Sequence, residues 1–143
     1  MSPNMILGPM AGMFLLTAVV FVYMFVLRIG EIRSSGRMPR TRADLDKYSP
    51  RAVNSSNNFQ NLFELPVIFY ACVLGICVTN QTDQFYGICA HGFLLFRIIH
   101  SAIHCTYNNI MHRFSAYFVA SIFLWVMVIR FTMSLMLHGG SGG

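Results

Sequence analysis

Polar side chains recur at helical spacing inside the apolar segments of this 143-residue chain. Steps of three or four residues place such side chains on one face of a helix. A polar group within a bilayer is costly unless it has a partner, so polar groups that share a face indicate a functional site. Three such stripes are present: Asn57, Gln60, Asn61 and Glu64; Arg97, His100, Ser101 and His104; Arg113 and Tyr117.

The charges in these stripes favour an anionic ligand. Arg28, Arg97 and Arg113 set three positive charges against the single carboxylate of Glu64, and helical spacing puts all four at a similar depth. A desolvated excess of guanidinium charge attracts an anion, and the guanidinium fork is suited to carboxylates. Glu64 could then hold an ammonium group, so we expect a ligand with several carboxylates and one amine.

A thiol on that ligand would be activated by the same positive charge. A guanidinium near the sulfur favours the thiolate, which is the nucleophilic form. Arg113 and Tyr117 are the candidates for this catalytic role, and Ser101 is a third candidate donor.

Other interpretations of these residues remain open. Glu64 and Arg97 could form a structural ion pair, and Arg113 could extend to lipid headgroups. His100 and His104 are spaced to bind a metal ion together with Glu64, but Arg97 one turn away would repel a cation, so we predict no metal site. Proton relay through the same groups is a further alternative, although four helices seldom enclose a path alone.

The composition predicts an integral membrane protein. Hydrophobic residues make up 55% of the chain and charged residues 10%, and the mean hydropathy is +0.56. Four apolar stretches have the length of about 20 residues that crosses a bilayer; they lie at 6–29, 59–78, 85–107 and 117–137. We expect an all-α, integral membrane four-helix bundle over residues 1–138, followed by a flexible tail or cloning remnant at 139–143.

The distribution of charge predicts the orientation. Seven of the ten Lys and Arg residues lie between Arg28 and Arg51, so the positive-inside rule assigns that loop to the cytoplasm and both termini to the outside. Within the loop we expect one short helix at 43–48. Pro66 should kink the second apolar stretch, and Arg130, near the outer end of the last stretch, is interpreted as extending to lipid headgroups.

The net charge, the cysteines and the loop lengths indicate which partners and which membrane to expect. The topology accounts for the net charge of +5, with membrane lipids as partners, and no feature suggests nucleic acid. The four cysteines show no CxxC spacing, so neither a disulfide framework nor a metal knuckle is predicted. Short loops and the lack of a retention signal fit a bacterial inner membrane, with the endoplasmic reticulum as the alternative.

These residues resemble the MAPEG family, the membrane-associated proteins of eicosanoid and glutathione metabolism, which includes microsomal glutathione transferases and prostaglandin E synthase. The resemblance covers most of the chain. It implies a homotrimer with glutathione bound between neighbouring subunits on the cytoplasmic side, and an apolar, lipid-like second substrate that arrives from the bilayer. It rests on Asn61-x-x-Glu64-x-Pro66, followed by Arg97, His100, Arg113 and Tyr117.

The resemblance also implies a role for each matching residue. Arg113 would stabilise the glutathione thiolate. His104, which lies on the same polar stripe as His100, is also included in the expected binding set. The other expected contacts to glutathione are Arg28, Asn61, Glu64, Arg97, His100 and Tyr117.

The chain departs from the family pattern at four positions. Asn57 and Gln60 stand where members usually carry arginines, which removes two charges that bind carboxylates. His104 stands where tyrosine is common, and Phe114 stands where the prostaglandin enzyme has a small hydroxyl residue. The leading hypothesis is a glutathione-dependent membrane transferase or peroxidase acting on apolar electrophiles. The alternative is a non-catalytic lipid-binding or scaffold protein of the same fold.

Overall fold

The computed structural model describes residues 3–139. Every regular secondary-structure element in this range is a helix, and none is a strand. Within them, four helical stretches are long and apolar enough to cross a membrane, so the predicted all-α, multi-pass membrane protein is confirmed. The expected tail overlaps the last helix at Gly139, and residues 140–143 lie outside the described part of the chain. The helices are α1 (Asn4–Ser35), α2 (Arg42–Leu45), α3 (Pro50–Asn61), α4 (Leu65–Val78), α5 (Gln84–Cys105) and α6 (Ile110–Gly139).

The first and last helices extend beyond the apolar stretches that predicted them. α1 continues to Ser35 and ends where Gly36 adopts a left-handed conformation with φ of 64°. α6 begins at Ile110, because the Asn109 side-chain oxygen accepts hydrogen bonds from two backbone N–H groups of the first turn, at 3.0 and 3.2 Å. The end of α1 and the start of α6 are set by capping residues. Hydropathy indicates only the part of each helix that is suited to lipid.

The second membrane-spanning stretch is interrupted at residues 62–64. α3 begins at Pro50, well before the predicted start at residue 59, and α4 resumes after the interruption with Pro66 in its first turn. Proline is tolerated there because the first-turn N–H groups have no helical acceptor. The predicted kink is therefore confirmed as a break, and it leaves the Asn61 carbonyl accessible to a side chain from another helix.

The apolar core holds α5 tightly against its neighbours. Phe69 of α4 and Phe93 of α5 are fully buried, and their rings stack with centroids 4.6 Å apart. Gly92 allows the Phe123 ring of α6 to approach so closely that a Cβ at position 92 would lie 2.7 Å from a ring atom. Close packing of α5 against α6 gives a rigid support for the polar residues that these two helices carry.

The connection between α1 and α3 is an ordered segment. Thr41 caps α2 by accepting a hydrogen bond from the Asp44 N–H, and the Asp44 carboxylate accepts the backbone N–H groups of Arg40 and Thr41, at 3.1 and 3.0 Å. The bonds from Arg40 and Thr41 hold the pKa of Asp44 below its usual value. The short helix lies at Arg42–Leu45 rather than at 43–48, and its caps position Arg42.

Arg130 forms an ion pair instead of extending freely to lipid headgroups. Its two terminal nitrogens donate to the Asp83 carboxylate, which also accepts the Tyr86 N–H at 2.9 Å and so caps α5. The guanidinium carbon lies 4.6 Å from the ring centroids of Phe85 and Tyr86. The earlier interpretation of Arg130 is therefore wrong, because Asp83 in the adjoining turn supplies a closer partner.

Candidate functional site

A cavity of about 230 Å³ opens where the end of α3, the break before α4, the last turns of α5 and the start of α6 meet. Asn61 and Glu64 reach it from the break. α5 and α6 supply the other polar groups, and the exposed Phe114 forms part of an apolar rim. Five predicted site residues thus share one cavity. The lining residues are Asn61, Glu64, His100, Ile110, Arg113, Phe114 and Tyr117.

Arg97 lies directly behind this cavity rather than in its lining. Its side chain is fully buried, and its Nη2 donates to the Asn61 carbonyl oxygen at 2.9 Å. The guanidinium carbon is 5.8 Å from the centroid of the Tyr117 ring, while Nε and Nη1 have no hydrogen-bond partner. A buried guanidinium with two unsatisfied donors is an uncompensated positive charge in a low-dielectric region.

The structural ion pair between Glu64 and Arg97 is not formed. In residues 3–139 the ion pairs join Lys47 to Asp44 and Arg130 to Asp83. Glu64 is exposed at the helix break. Its carboxylate is therefore accessible to a ligand and does not neutralise Arg97 at close range.

Arg113 presents its charge to the cavity while bonded only to neutral acceptors. Its Nη1 donates to the Asn108 side-chain oxygen at 2.8 Å and lies 3.4 Å from Nε2 of His104. Asn108 has a positive φ of 47°, a conformation that asparagine tolerates better than most residues. The sequence analysis did not identify Asn108 as a partner of Arg113. The available signal was the Asn108-Asn109 pair, because asparagine is typical of the turn that precedes a helix.

The two histidines of α5 are buried and lie beside Arg113. His100 Nδ1 is 3.1 Å from the Arg113 carbonyl oxygen, so Nδ1 carries the proton in this contact and Nε2 is left as an acceptor without a partner. The rings of His100 and His104 are 5.7 Å apart, and that of His100 is also 5.7 Å from the Tyr117 ring. Among the described residues, no group of three or more His, Cys, Asp or Glu side chains could hold a metal ion.

Ser101 faces a different part of the bundle from the cavity. Its hydroxyl donates to the Asn58 side-chain oxygen at 3.2 Å, and the Asn58 amide nitrogen donates to Sγ of Cys105 at 3.3 Å. Ser101 and Asn58 are both buried. Asn58 lay outside the predicted stripes, but its spacing of three residues from the buried Ser55 marks a second polar face on α3.

Arg28 is also separated from the cavity, because it lines a smaller, neighbouring pocket beside α3. Its Nε and Nη2 donate to the Ser56 hydroxyl at 3.2 and 3.0 Å. Arg42 enters the same pocket and donates from Nη2 to the Gln60 side-chain oxygen at 2.9 Å. The single layer of charge expected from the sequence is therefore two clusters within one protomer, joined by the last turn of α3.

The arrangement can bind an anion and hold an amine beside it. Arg113 lines the cavity and Arg97 lies behind it, against the single carboxylate of Glu64. Tyr117 lines the cavity with its ring near Arg97 and His100, and it carries a phenolic donor. Positive charge near a partly buried cavity stabilises an anionic sulfur or carboxylate more strongly than it would in water.

Comparison with protein-family models gives one result that bears on this site. The model described as MAPEG family matches residues 6–133, which include most of the first and last membrane-spanning stretches, all of the second and third, and every residue of the cavity. No curated protein and no solved structure gives a significant match.

Proposed function

This chain belongs to the MAPEG family, and from that premise we propose that it is a glutathione-dependent membrane transferase or peroxidase acting on apolar electrophiles. The observation that carries the proposal is the uncompensated positive charge at the cavity. Arg113 bonds only neutral acceptors, and Arg97 is buried with two free donors. A tripeptide with two carboxylates and one ammonium group complements that charge and the lone Glu64.

Arg113 is the group that activates the sulfur in this proposal. The thiol of bound glutathione loses its proton to solvent, and the guanidinium stabilises the resulting thiolate by opposite charge. In the transferase reaction the sulfur then forms a bond to an electrophilic carbon, whose leaving group departs with the bonding electrons. Tyr117 donates a hydrogen bond to the sulfur from its phenolic hydroxyl.

The other residues in and around the cavity bind the peptide. Glu64 accepts the ammonium group, and Asn61 presents its side-chain amide. His100 offers the free acceptor at Nε2 to a peptide N–H. His104 positions Arg113, and Arg97 contributes charge from behind Asn61.

The second substrate enters from the lipid phase. Phe114 is 60% exposed at the rim of the cavity, beside the apolar side chain of Ile110. We further propose a homotrimer that binds glutathione between neighbouring protomers, with the side of the protein that carries Arg28 facing the cytoplasm.

The test is thiolate formation by the purified, detergent-solubilised protein. We expect added glutathione to give ultraviolet thiolate absorbance and saturable binding by calorimetry, and we expect Arg113→Gln to lose the absorbance. Arg37→Gln, an exposed loop variant with the same change of charge, is the control. A parent protein that neither binds glutathione nor forms thiolate would overturn the proposal in favour of a non-catalytic lipid-binding protein.

A further inference from the structure

Arg42 and Arg28 form a second cluster of positive charge, hereafter the loop-side pocket. Arg42 is carried by α2 in the connecting segment and Arg28 by the last part of α1. Both reach the same face of α3, where Arg28 donates to Ser56 and Arg42 to Gln60. A hydroxyl and a primary amide accept these hydrogen bonds without cancelling either charge.

The acidic residues of the connecting segment do not neutralise these arginines. The Asp44 carboxylate is engaged by the backbone of Arg40 and Thr41 and by Lys47, and Glu31 accepts the Ser49 N–H at 3.2 Å. Asp46 lines the loop-side pocket, yet no ion pair joins it to an arginine in the described residues. Two guanidinium groups therefore face one carboxylate there.

The loop-side pocket and the cavity share one structural boundary. Asn57 and Gln60, in the last turns of α3, line the loop-side pocket, and the adjacent Asn61 and Glu64 line the cavity. An elongated ligand that crosses the end of α3 can thus place one end at Arg42 and its middle at the cavity.

We propose that Arg42, assisted by Arg28, forms a carboxylate-binding subsite beside Gln60 and takes one terminal carboxylate of glutathione. This inference rests on the proposed function and adds a binding residue to it. The carboxylate replaces the Gln60 amide as acceptor for Arg42. Gln60 accepts one bond from Nη2 of Arg42, whereas a carboxylate can accept two parallel bonds from a guanidinium and carries the opposite charge, so the exchange is favourable.

The caps of α2 keep Arg42 in place for this role. Thr41 and Asp44 bond reciprocally to each other's backbone, which fixes the turn from which the Arg42 side chain projects. A mobile loop arginine would lose more conformational entropy on binding, so this ordering favours affinity. Gln60 marks the position that a carboxylate would occupy.

The experiment is calorimetric titration of the parent and Arg42→Gln with three probes. They are glutathione and two analogues in which one or the other carboxylate is converted to an amide. We expect Arg42→Gln to weaken glutathione binding about tenfold. The variant and the parent should bind one of the two amides equally, because that amide lacks the carboxylate that Arg42 contacts.

Two further variants separate a binding role from a structural or general electrostatic one. Arg40→Gln makes the same change of charge in the same segment, and the hydrogen bond described for Arg40 uses its backbone; we expect parental affinity. Gln60→Arg combined with Arg42→Gln restores a guanidinium at the same place, and affinity should return to within a few-fold of the parent. A double variant as weak as Arg42→Gln would contradict a shared carboxylate position.

The outcomes distinguish this inference from the proposed function. A parent that binds glutathione together with an Arg42→Gln variant of equal affinity would overturn the subsite alone. Equal weakening for glutathione and both amides would also overturn it, because the effect would then be independent of the carboxylate. A parent that does not bind glutathione would overturn the proposed function and the subsite together.

Discussion

Arg97 donates a hydrogen bond to the Asn61 carbonyl oxygen at 2.9 Å and thereby ties α5 to the break that separates α3 from α4. The bond uses one of its donor nitrogens, and two others are buried without partners. Arg97 therefore stabilises the wall of the cavity and also places an uncompensated positive charge behind it.

Replacing Arg97 should reduce the stabilisation that glutathione confers. Arg97→Gln removes the charge, and we expect about tenfold weaker binding, which lowers the ligand-dependent part of the free energy of unfolding by about 1.4 kcal/mol at saturation. The measurement is Tm with and without glutathione. Arg97→Lys keeps the charge and should retain most of the rise in Tm. A rise in Arg97→Gln equal to the parent's would show that the buried charge does not contribute.

Replacing Ser101 should affect stability and leave sulfur activation intact. Its hydroxyl donates to the buried Asn58, so Ser101→Ala leaves an acceptor unsatisfied and should lower the free energy of unfolding by about 1–3 kcal/mol. Ser121→Ala, which removes a hydroxyl bonded to its own helix backbone, is the matched control and should cost less. Chemical denaturation measures the first effect and thiolate absorbance the second. Loss of absorbance in Ser101→Ala would instead support the sequence-based assignment of Ser101 as a donor to the sulfur.

The contrast between Ser101 and His100 illustrates what sequence alone can predict. Hydropathy and the spacing of polar residues were sufficient for four membrane-spanning helices and for five residues of the cavity. Adjacent residues on a helix differ by about 100° in direction, so His100 faces α6 and Ser101 faces α3. A stripe defined by steps of three or four residues does not resolve this difference, because the rotation of a helix is set by packing against its neighbours.

Arg28 and Arg42 illustrate a second limit of prediction from sequence. A similar depth in the bundle does not place two residues in contact, and contacts between residues far apart in the sequence do not follow from periodicity. Arg28 lies at the predicted end of the bundle, but α3 separates it from Arg113 within one protomer. Arg42 belongs to a polar connection that hydropathy treats as a loop. Its approach to Gln60 depends on the caps of α2 and on the early start of α3 at Pro50, neither of which follows from periodicity.

The ion pair between Asp83 and Arg130 predicts a pH-dependent contribution to stability. Partial burial raises the pKa of Asp83, but hydrogen bonds from the Tyr86 N–H and from Arg130 outweigh it, and the net shift is downward. A carboxylate with a lowered pKa stabilises the fold above its unfolded pKa of about 3.9, and this contribution is lost as pH falls through the lower folded pKa. We expect the difference in Tm between the parent and Asp83→Asn to be present at pH 6 (about two units above that pKa) and to shrink below about pH 4.

The size of that effect should be modest because both side chains are partly exposed. Pairs of this kind contribute about 0–1 kcal/mol, and added salt weakens them. Arg130→Gln should reproduce part of the pH dependence of Asp83→Asn, because the bond from the Tyr86 N–H remains, and adding Arg130→Gln to Asp83→Asn should cause little further loss. A difference in Tm that stayed constant from pH 6 to pH 3 (about one unit below the unfolded pKa) would indicate that the Asp83 carboxylate stabilises nothing beyond the α5 cap geometry.

Tyr117 and Arg113 should differ in how strongly each lowers the pKa of the bound thiol. Tyr117→Phe removes one neutral donor and keeps the ring contacts with Arg97 and His100. A net hydrogen bond of about 1.4 kcal/mol corresponds to one pKa unit, so we expect the thiol pKa to rise by about one unit. Arg113→Gln removes a full charge and should raise it further. Titration of thiolate absorbance against pH, with glutathione saturating, measures both shifts, and a larger shift in Tyr117→Phe than in Arg113→Gln would reassign the main stabilising group to the phenol.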